Sequence, residues 1–344
     1  MVIFDTNNIP YFNNQIFKKS VAYKYPGASS IYLLAKLCKD FNIPIYTADY
    51  VIKNNLDIIG AKIITEIQSD WTKTLISKGA IPHALICLET PSFAWRFYSK
   101  LRSISKKYKH SFLFSGTKYK VSPDTIFHSS LFPQPEIELS EYFSNGWESR
   151  KFLVLLNSNQ IRRIIRPVHI FYSLFDKSLS QEFYTLRLKA IMHFSKFNDF
   201  DLYGRNWHKK YWGIPNHIYK KALSKYKGSV DNKVKCLSEY RFSICFENAS
   251  YPGYITEKIF DCFFAGCIPI YFGAPDVEKY IPKNCFIDFS DFNNDFSKLE
   301  NFLINFSMND YLLIKKNILN FFNSNQFSQF SDRHYANEIF NTLN

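Results

Sequence analysis

Acidic residues are in short supply. Thirty Asp and Glu stand against 43 Lys and Arg, a formal net charge of +13. An excess of that sign points to a polyanionic partner: a nucleotide, a nucleic acid or an anionic membrane surface. For most of these lysines a solvated basic surface is the plain alternative. Cysteine pairs of the CxxC kind are missing. The seven cysteines, Cys38, Cys87, Cys236, Cys245, Cys262, Cys267 and Cys285, are odd in number, and several lie inside apolar runs. That pattern argues against a disulfide framework or a zinc site and for reduced, buried thiols in a cytosolic setting. The eight histidines show no HExxH-type spacing. No GxGxxG or Walker sequence occurs, so neither a dinucleotide fingerprint nor a P-loop is supported. No apolar run reaches the length that crosses a bilayer. The stretch "MVIFDTNNIPYFNN" lacks a basic start followed by a long apolar core, so no secretory signal is expected.

What is present describes a globular α/β chain. Its 344 residues exceed one ordinary core, and two domains are expected. "MVIFD", "IPIYTADYV", "AKIITEI" and "HALICLE", the last ending at Glu89, read as strands. "SSIYLLAKLCKDFN" and "DWTKTLISKG" between them read as helices. Periodicity fades over residues 132–151, which sets a boundary: residues 1–148 form one domain and 149–344 the other. The alternation then restarts with "KFLVLLN", "SQEFYTLRLKAIMHFSKF", "FDLYG", "RFSICFE", a helix from Thr256, and "CIPIYFG". Helices separating continuous apolar strands imply parallel sheets covered on both faces. The "DFD" at 199–201 reads as a turn.

One stretch raises a chemical question. In "FENASYPGYITEKIFDCFFAGCIPIYFGAPD" (246–276), Lys258 falls in the first turn of the Thr256 helix. The positive end of a helix disfavours a lysine by ~0.3–1 kcal/mol unless the charge is answered. A bound diphosphate would answer it. So would an ordinary surface pair with Glu257. From the residues alone the two readings stand level. Ligands in open α/β sheets lie beyond the carboxyl ends of the strands, where Glu247, Asn248 and Gly273 fall.

The same stretch resembles the signature of the α-1,3/4-fucosyltransferases, glycosyltransferase family 10. The resembling segments are "ICFEN" (244–248), "YITEK" (254–258), "AGCIPIYFGAP" (265–275) and "CFIDFSDF" (285–292), with Cys285 where serine is usual. Weaker likenesses are "NSN" (157–159), "FYTLRLKAI" (183–191), "FDLYGRNW" (200–207) and, in the first half, "CLETPSF" (87–93), with Thr90 for a serine. The resemblance implies the GT-B class: two Rossmann-like domains facing each other across a cleft, acceptor-binding first and GDP-sugar-binding second. It implies an inverting transfer of L-fucose from GDP-β-L-fucose to a glycan hydroxyl, in an α-1,3 or α-1,4 linkage. No cofactor is required beyond that donor, and a divalent metal is at most a stimulant.

Roles follow from that resemblance. Glu89 is the expected catalytic base, and a helix-capping or solvated acid is the plain alternative. Arg187 and Lys258 are expected at the diphosphate, since arginine suits bidentate phosphate contact and lysine acts as a point charge. Asn248, Tyr254, Thr256, Glu257 and Gly273 complete the expected donor site; no metal ligand is expected. The expected partners are a GDP-sugar, an acceptor glycan such as a lipopolysaccharide, and a peripheral anionic membrane. Nucleic acid is not among them. The expected location is cytoplasmic, peripheral on the inner membrane surface. Two other readings stand beside this one: a GT-B enzyme using another nucleotide-deoxysugar, and a basic RNA- or membrane-binding protein with no catalysis. The aromatics of "FAWRFYSKLR" (93–102) would serve the last, but they alternate as core residues do.

Overall fold

A computed structural model describes residues 1–67, 69–136, 141–144, 146–159, 171, 174, 178, 181–211 and 214–343. The chain divides into two compact units. The first comprises Met1–Glu136, Pro252–Tyr254 and Ser328–Asn344; the second comprises Ile137–Tyr251 and Ile255–Phe327.

The first unit is built on strands β1 (Val2–Asp5), β2 (Ile45–Thr47), β3 (Lys62–Glu66), β4 (Ile81–Ile86), β5 (His110–Leu113) and β6 (Ile126–Ser129). They lie in the order β2-β1-β3-β4-β5-β6, and every neighbouring pair is parallel. Alternate residues of one strand enter different cores. Val2 and Phe4 join Ile64, Ile86 and Phe112 against Leu34 and Cys38 of the helix Ser29–Asp40 and Tyr335 and Ile339 of the helix Asp332–Asn341. Ile3 and Ile63 pack the other way, on Ala48, Val51 and Leu75. Both faces are therefore covered, and the strands are apolar along their length for that reason.

Three expectations change here. "IPIYTADYV" is a strand only over Ile45–Thr47; Ala48–Lys53 is a helix, because Ala48 and Val51 share one buried face. "HALICLE" leaves the sheet at Ile86, so Glu89 lies on the loop after β4. The C-terminal helix Asp332–Asn341 belongs with the first unit, since its apolar face completes that core. In "FAWRFYSKLR", Phe97, Tyr98 and Leu101 are buried.

The second unit carries β7 (Lys151–Leu156), β8 (Phe200–Tyr203), β9 (Tyr240–Phe246), β10 (Ile268–Phe272) and β11 (Ile287–Asp288) in the order β11-β10-β9-β7-β8, again all parallel. Leu153, Phe242 and Ile268 stand level across the middle of the sheet. Asp201 is not in a turn. It lies in β8, 4% exposed, and takes hydrogen bonds from Tyr240 Oη at 2.6 Å and Lys151 Nζ at 3.2 Å, so its charge is answered from β9 and β7 of the same sheet. All seven cysteines are free and buried. Among the described residues no helix is long and apolar enough to cross a membrane.

Candidate active site

In the second unit the chain runs from β7 outward to β8, then returns past β7 to β9 and continues the other way. The reversal between β7 and β9 is a topological switch point, where the loops at the strand ends part and leave a crevice. Asn157 follows β7 there, and Glu247 and Asn248 follow β9.

Arg187 spans this point from the helix Tyr184–Phe194. It is 3% exposed. Nη1 donates to Asn157 Oδ1 at 2.9 Å, and Nη2 donates to Phe246 O and to Asn248 Oδ1 at 3.1 Å. The guanidinium lies over the Tyr184 ring, 4.8 Å from its centroid. Phe183 N donates to Asn248 O at 2.9 Å. Arg187 therefore ties two strand ends that are not consecutive in the chain, and its charge is fixed at the switch point.

Across the Tyr-Pro-Gly-Tyr turn, Thr256 caps the helix Glu257–Ala265 with extended backbone. Its own amide and hydroxyl turn back to Glu247. Thr256 N donates to Glu247 Oε1 at 2.7 Å, and Thr256 Oγ1 lies 2.8 and 3.0 Å from the two carboxylate oxygens. Lys258 Nζ donates to Glu247 Oε2 at 3.0 Å and to Thr256 Oγ1 at 2.8 Å. Glu247 is fully buried, whereas the Lys258 side chain keeps 25% of its exposure. The lysine at the helix start is thus answered by an acid eleven residues earlier, more closely than by its neighbour Glu257 at 3.9 Å.

The charges continue along the helix. Lys233 Nζ lies 3.6 Å from Glu257 and 3.2 Å from Asp261. Asp261, Lys233, Glu257, Lys258 and Glu247 form an alternating chain. Burial alone would raise the Glu257 carboxyl, but Lys258 and Lys233 hold it at about 2. Burial raises Asp261 to about 6, with Lys233 opposing and Glu257 adding. Burial would lower Lys258, yet Glu247 and Glu257 leave it above its ordinary value, and Arg187 opposes them as a like charge close by.

Gly273, after β10, closes the cluster from the other side. A Cβ there would lie 2.3 Å from Tyr271 Oη and 2.6 Å from Glu247 Cγ. Any side chain at 273 would push on the carboxylate that holds Thr256 and Lys258.

Residues 168–330 match the family model described as glycosyltransferase family 10 (fucosyltransferase), C-terminal part. Over this segment, a little under half of the chain, the sequence is that of a glycosyltransferase family 10 C-terminal part. An α-(1,3)-fucosyltransferase FucT of Helicobacter pylori is 47% identical over 66 residues, 19% of this chain and 14% of that protein. The 4-galactosyl-N-acetylglucosaminide 3-α-L-fucosyltransferase 9 of Mus musculus is 34% identical over 103 residues, 29% of this chain and 28% of that one. These matches span less than a third of the relatives' own lengths. In fold, a crystal structure of an α1,3-fucosyltransferase covers 100% of this chain and 89% of its own, at 16% identity and a TM-score of 0.50. A glycosyltransferase of Rickettsia africae covers 99% and 98%, at 11% identity and a TM-score of 0.50. With its two parallel α/β units, the chain has the GT-B fold class.

The family-10 segment contains the whole cluster. The structure brings Arg187, Asn248, Thr256, Glu257, Lys258 and Gly273 together around Glu247. The other two expected residues belong to the first unit. Tyr254 is 3% exposed, and its ring meets Phe114 edge-on at 5.3 Å. Gly253 before it has φ +78, and a Cβ there would come within 2.9 Å of Ser115 Oγ. Glu89 is half-buried, and its carbonyl accepts from Tyr98 Oη at 2.8 Å.

Lys233 and Asp261 were not anticipated. The spacing of Glu257 and Asp261, four apart on one helix face, was the available signal for an intervening cation. Nothing local marked Lys233. Among the described residues no group of three His, Cys, Asp or Glu is arranged to hold a metal ion.

Proposed function

We propose that this chain is an inverting fucosyltransferase. It moves L-fucose from GDP-β-L-fucose to a hydroxyl of an acceptor glycan, forming an α-1,3 or α-1,4 linkage. The observation that carries the reading is the Glu247–Thr256–Lys258 cluster at a switch point, on the very residues where family 10 is matched. The Helicobacter pylori and mouse relatives are named for α-1,3 transfer of fucose.

Inverting transfer needs positive charge at the departing diphosphate and a base at the attacking hydroxyl. Lys258 supplies the first. It is partly exposed at a helix N-terminus, so an incoming phosphate meets the ammonium where the helix dipole also favours an anion. Arg187 adds a fixed charge from below while orienting Asn248, which faces the donor. Glu257 takes sugar or ribose hydroxyls, Gly273 keeps room for the Glu247 carboxylate, and Tyr254 closes the turn beside the donor. Glu89, in the first unit, takes the proton of the acceptor hydroxyl. The first unit holds the acceptor and the second the donor. In this scheme the protein's cations do the work at the diphosphate, so a metal is at most a stimulant. The chain works in the cytoplasm, resting its basic surface on anionic lipid.

A thermal-shift comparison tests the donor assignment. GDP at ~100 times its Kd stabilises by about 2.7 kcal/mol. UDP at the same concentration produces no comparable shift. Equal shifts for the two nucleotides would remove the GDP assignment.

A further inference from the structure

The first unit has a switch point of its own, between β1 and β3. The family match does not reach it. Three residues meet there. Thr6 Oγ1, just after β1, donates to Glu66 Oε2, at the end of β3, over 2.6 Å. Asn8 Nδ2 donates to the same oxygen at 2.9 Å. No described residue donates to Glu66 Oε1; the residue keeps some exposure, and burial raises its carboxyl above the ordinary value while the bonds from Thr6 and Asn8 oppose that shift.

The neighbouring acid, Asp5, is built differently. It is fully buried, and its carboxylate takes the hydroxyls of Thr65 at 3.1 Å, Thr72 at 2.6 Å and Ser69. Asp5 is a satisfied core acid. Glu66 has one oxygen anchored, and no described residue bonds the other.

Ile67 follows with φ +43, a region that β-branched residues avoid, and its amide donates to Ile86 O at 3.1 Å. Glu66 stands level with Ile86 of β4, three residues before Glu89. Both carboxylates act on the Cys87 thiol, which burial first of all pushes up to about 12. Two carboxylates at or beyond the ends of neighbouring strands, β3 and β4, repel an anion. They suit a neutral ligand rich in hydroxyl donors.

We propose that Glu66, held by Thr6 and Asn8, is an acceptor-recognition residue whose open oxygen accepts a hydrogen bond from a hydroxyl of a neutral sugar acceptor. The proposal rests on the fucosyl-transfer reading and adds to it a specificity determinant. Glu66 positions the acceptor; Glu89 remains the proposed base.

The test uses the full chain and 4-galactosyl-N-acetylglucosamine as probe, with Glu66→Gln and Glu66→Ala variants. Saturation-transfer NMR reads disaccharide binding in the absence of donor, and calorimetry reads GDP binding. A hydrogen bond to an ionised carboxylate corresponds to roughly a 10- to 100-fold change in affinity. The proposal expects Glu66→Ala to weaken the disaccharide, or to raise its KM, by that factor at unchanged GDP affinity. Glu66→Gln, which keeps an oxygen acceptor and the side chain's size, should fall between. Disaccharide binding equal in all three proteins would overturn the role of Glu66. The GDP measurement separates this outcome from failure of the underlying reading: wild-type protein that binds no GDP refutes the donor assignment, whatever the disaccharide does. Should Glu66→Ala fail to fold, Glu66→Gln and Asn8→Ala carry the test. Asn8→Ala removes one anchor of the carboxylate and should weaken the disaccharide less than Glu66→Ala, again at unchanged GDP affinity.

Discussion

Replacing Lys258 by methionine keeps most of the aliphatic stem and removes the ammonium. Glu247, fully buried, then retains, among the described residues, the donors of Thr256. A hydrogen bond between charged groups contributes ~1.5–3 kcal/mol, and breaking a fully buried pair costs ~3–5 kcal/mol. Lys258 keeps 25% of its exposure, so the lower range applies and about 2 kcal/mol is expected. For a unit of this size that corresponds to a fall in Tm of roughly 4–8 °C. GDP affinity should fall roughly 10- to 100-fold as well, since a charge-assisted contact to phosphate is gone. The two effects come apart in the double variant Glu247→Gln/Lys258→Met. Its stability loss should be smaller than the sum of the single losses by ~1–2 kcal/mol, because the buried charge leaves together with its partner. Its GDP affinity should stay low. Differential scanning calorimetry and isothermal titration read the two quantities. An unchanged Tm in Lys258→Met would refute the buried pair, and an unchanged GDP affinity would refute the phosphate role.

Gly273→Ala drives a Cβ against Tyr271 and the stem of Glu247, at a cost of ~1–3 kcal/mol; denaturant unfolding should show that loss, and calorimetry a parallel loss of GDP affinity. Asp261→Asn reports on pH. The Asp261 carboxyl is raised by burial from 3.8 to about 6 in the folded chain, so ionising it as pH climbs through that window costs stability. The asparagine variant should melt above wild type near about pH 7.5, and the difference should vanish below about pH 4; a pH-independent difference would contradict the assignment. Glu89→Gln should lower kcat by roughly 10²–10⁴-fold at unchanged GDP affinity. Near-normal turnover would move the base to another acid of the first unit.

Much of the cluster around Glu247 was legible because it is local. Glu247, Thr256, Lys258 and Gly273 lie on one strand–helix–strand unit, and chain order alone sends those strand ends and that helix start to the same edge. The partner of Lys258 was less legible. Adjacency suggested Glu257, but consecutive helical residues do not face each other, and the closer acid sits across the turn. Arg187 was singled out only through the resemblance of "FYTLRLKAI", since nothing in its local pattern marks a helical arginine as buried. Its burial follows from the adjacency of β7 and β9, a non-consecutive pairing that no local pattern encodes. The helix Asp332–Asn341 has an amphipathic face, but such a face does not name its partner, and it serves the first unit. Asp201 was misread because its answering groups, Tyr240 and Lys151, come from other strands. Glu66 escaped notice for the same reason: its anchors Thr6 and Asn8 lie across the β1–β3 crossover.

The central claim is transfer of fucose from a GDP donor. Its most direct measurement is incubation of the purified chain with GDP-fucose and 4-galactosyl-N-acetylglucosamine, with the products read by mass spectrometry and NMR. The expected product is a disaccharide enlarged by one deoxyhexose in α linkage to a single hydroxyl, with GDP released in equal amount. Product of the opposite anomeric configuration would contradict the inverting mechanism, and GDP-fucose left intact across a panel of neutral glycans would contradict the claim itself.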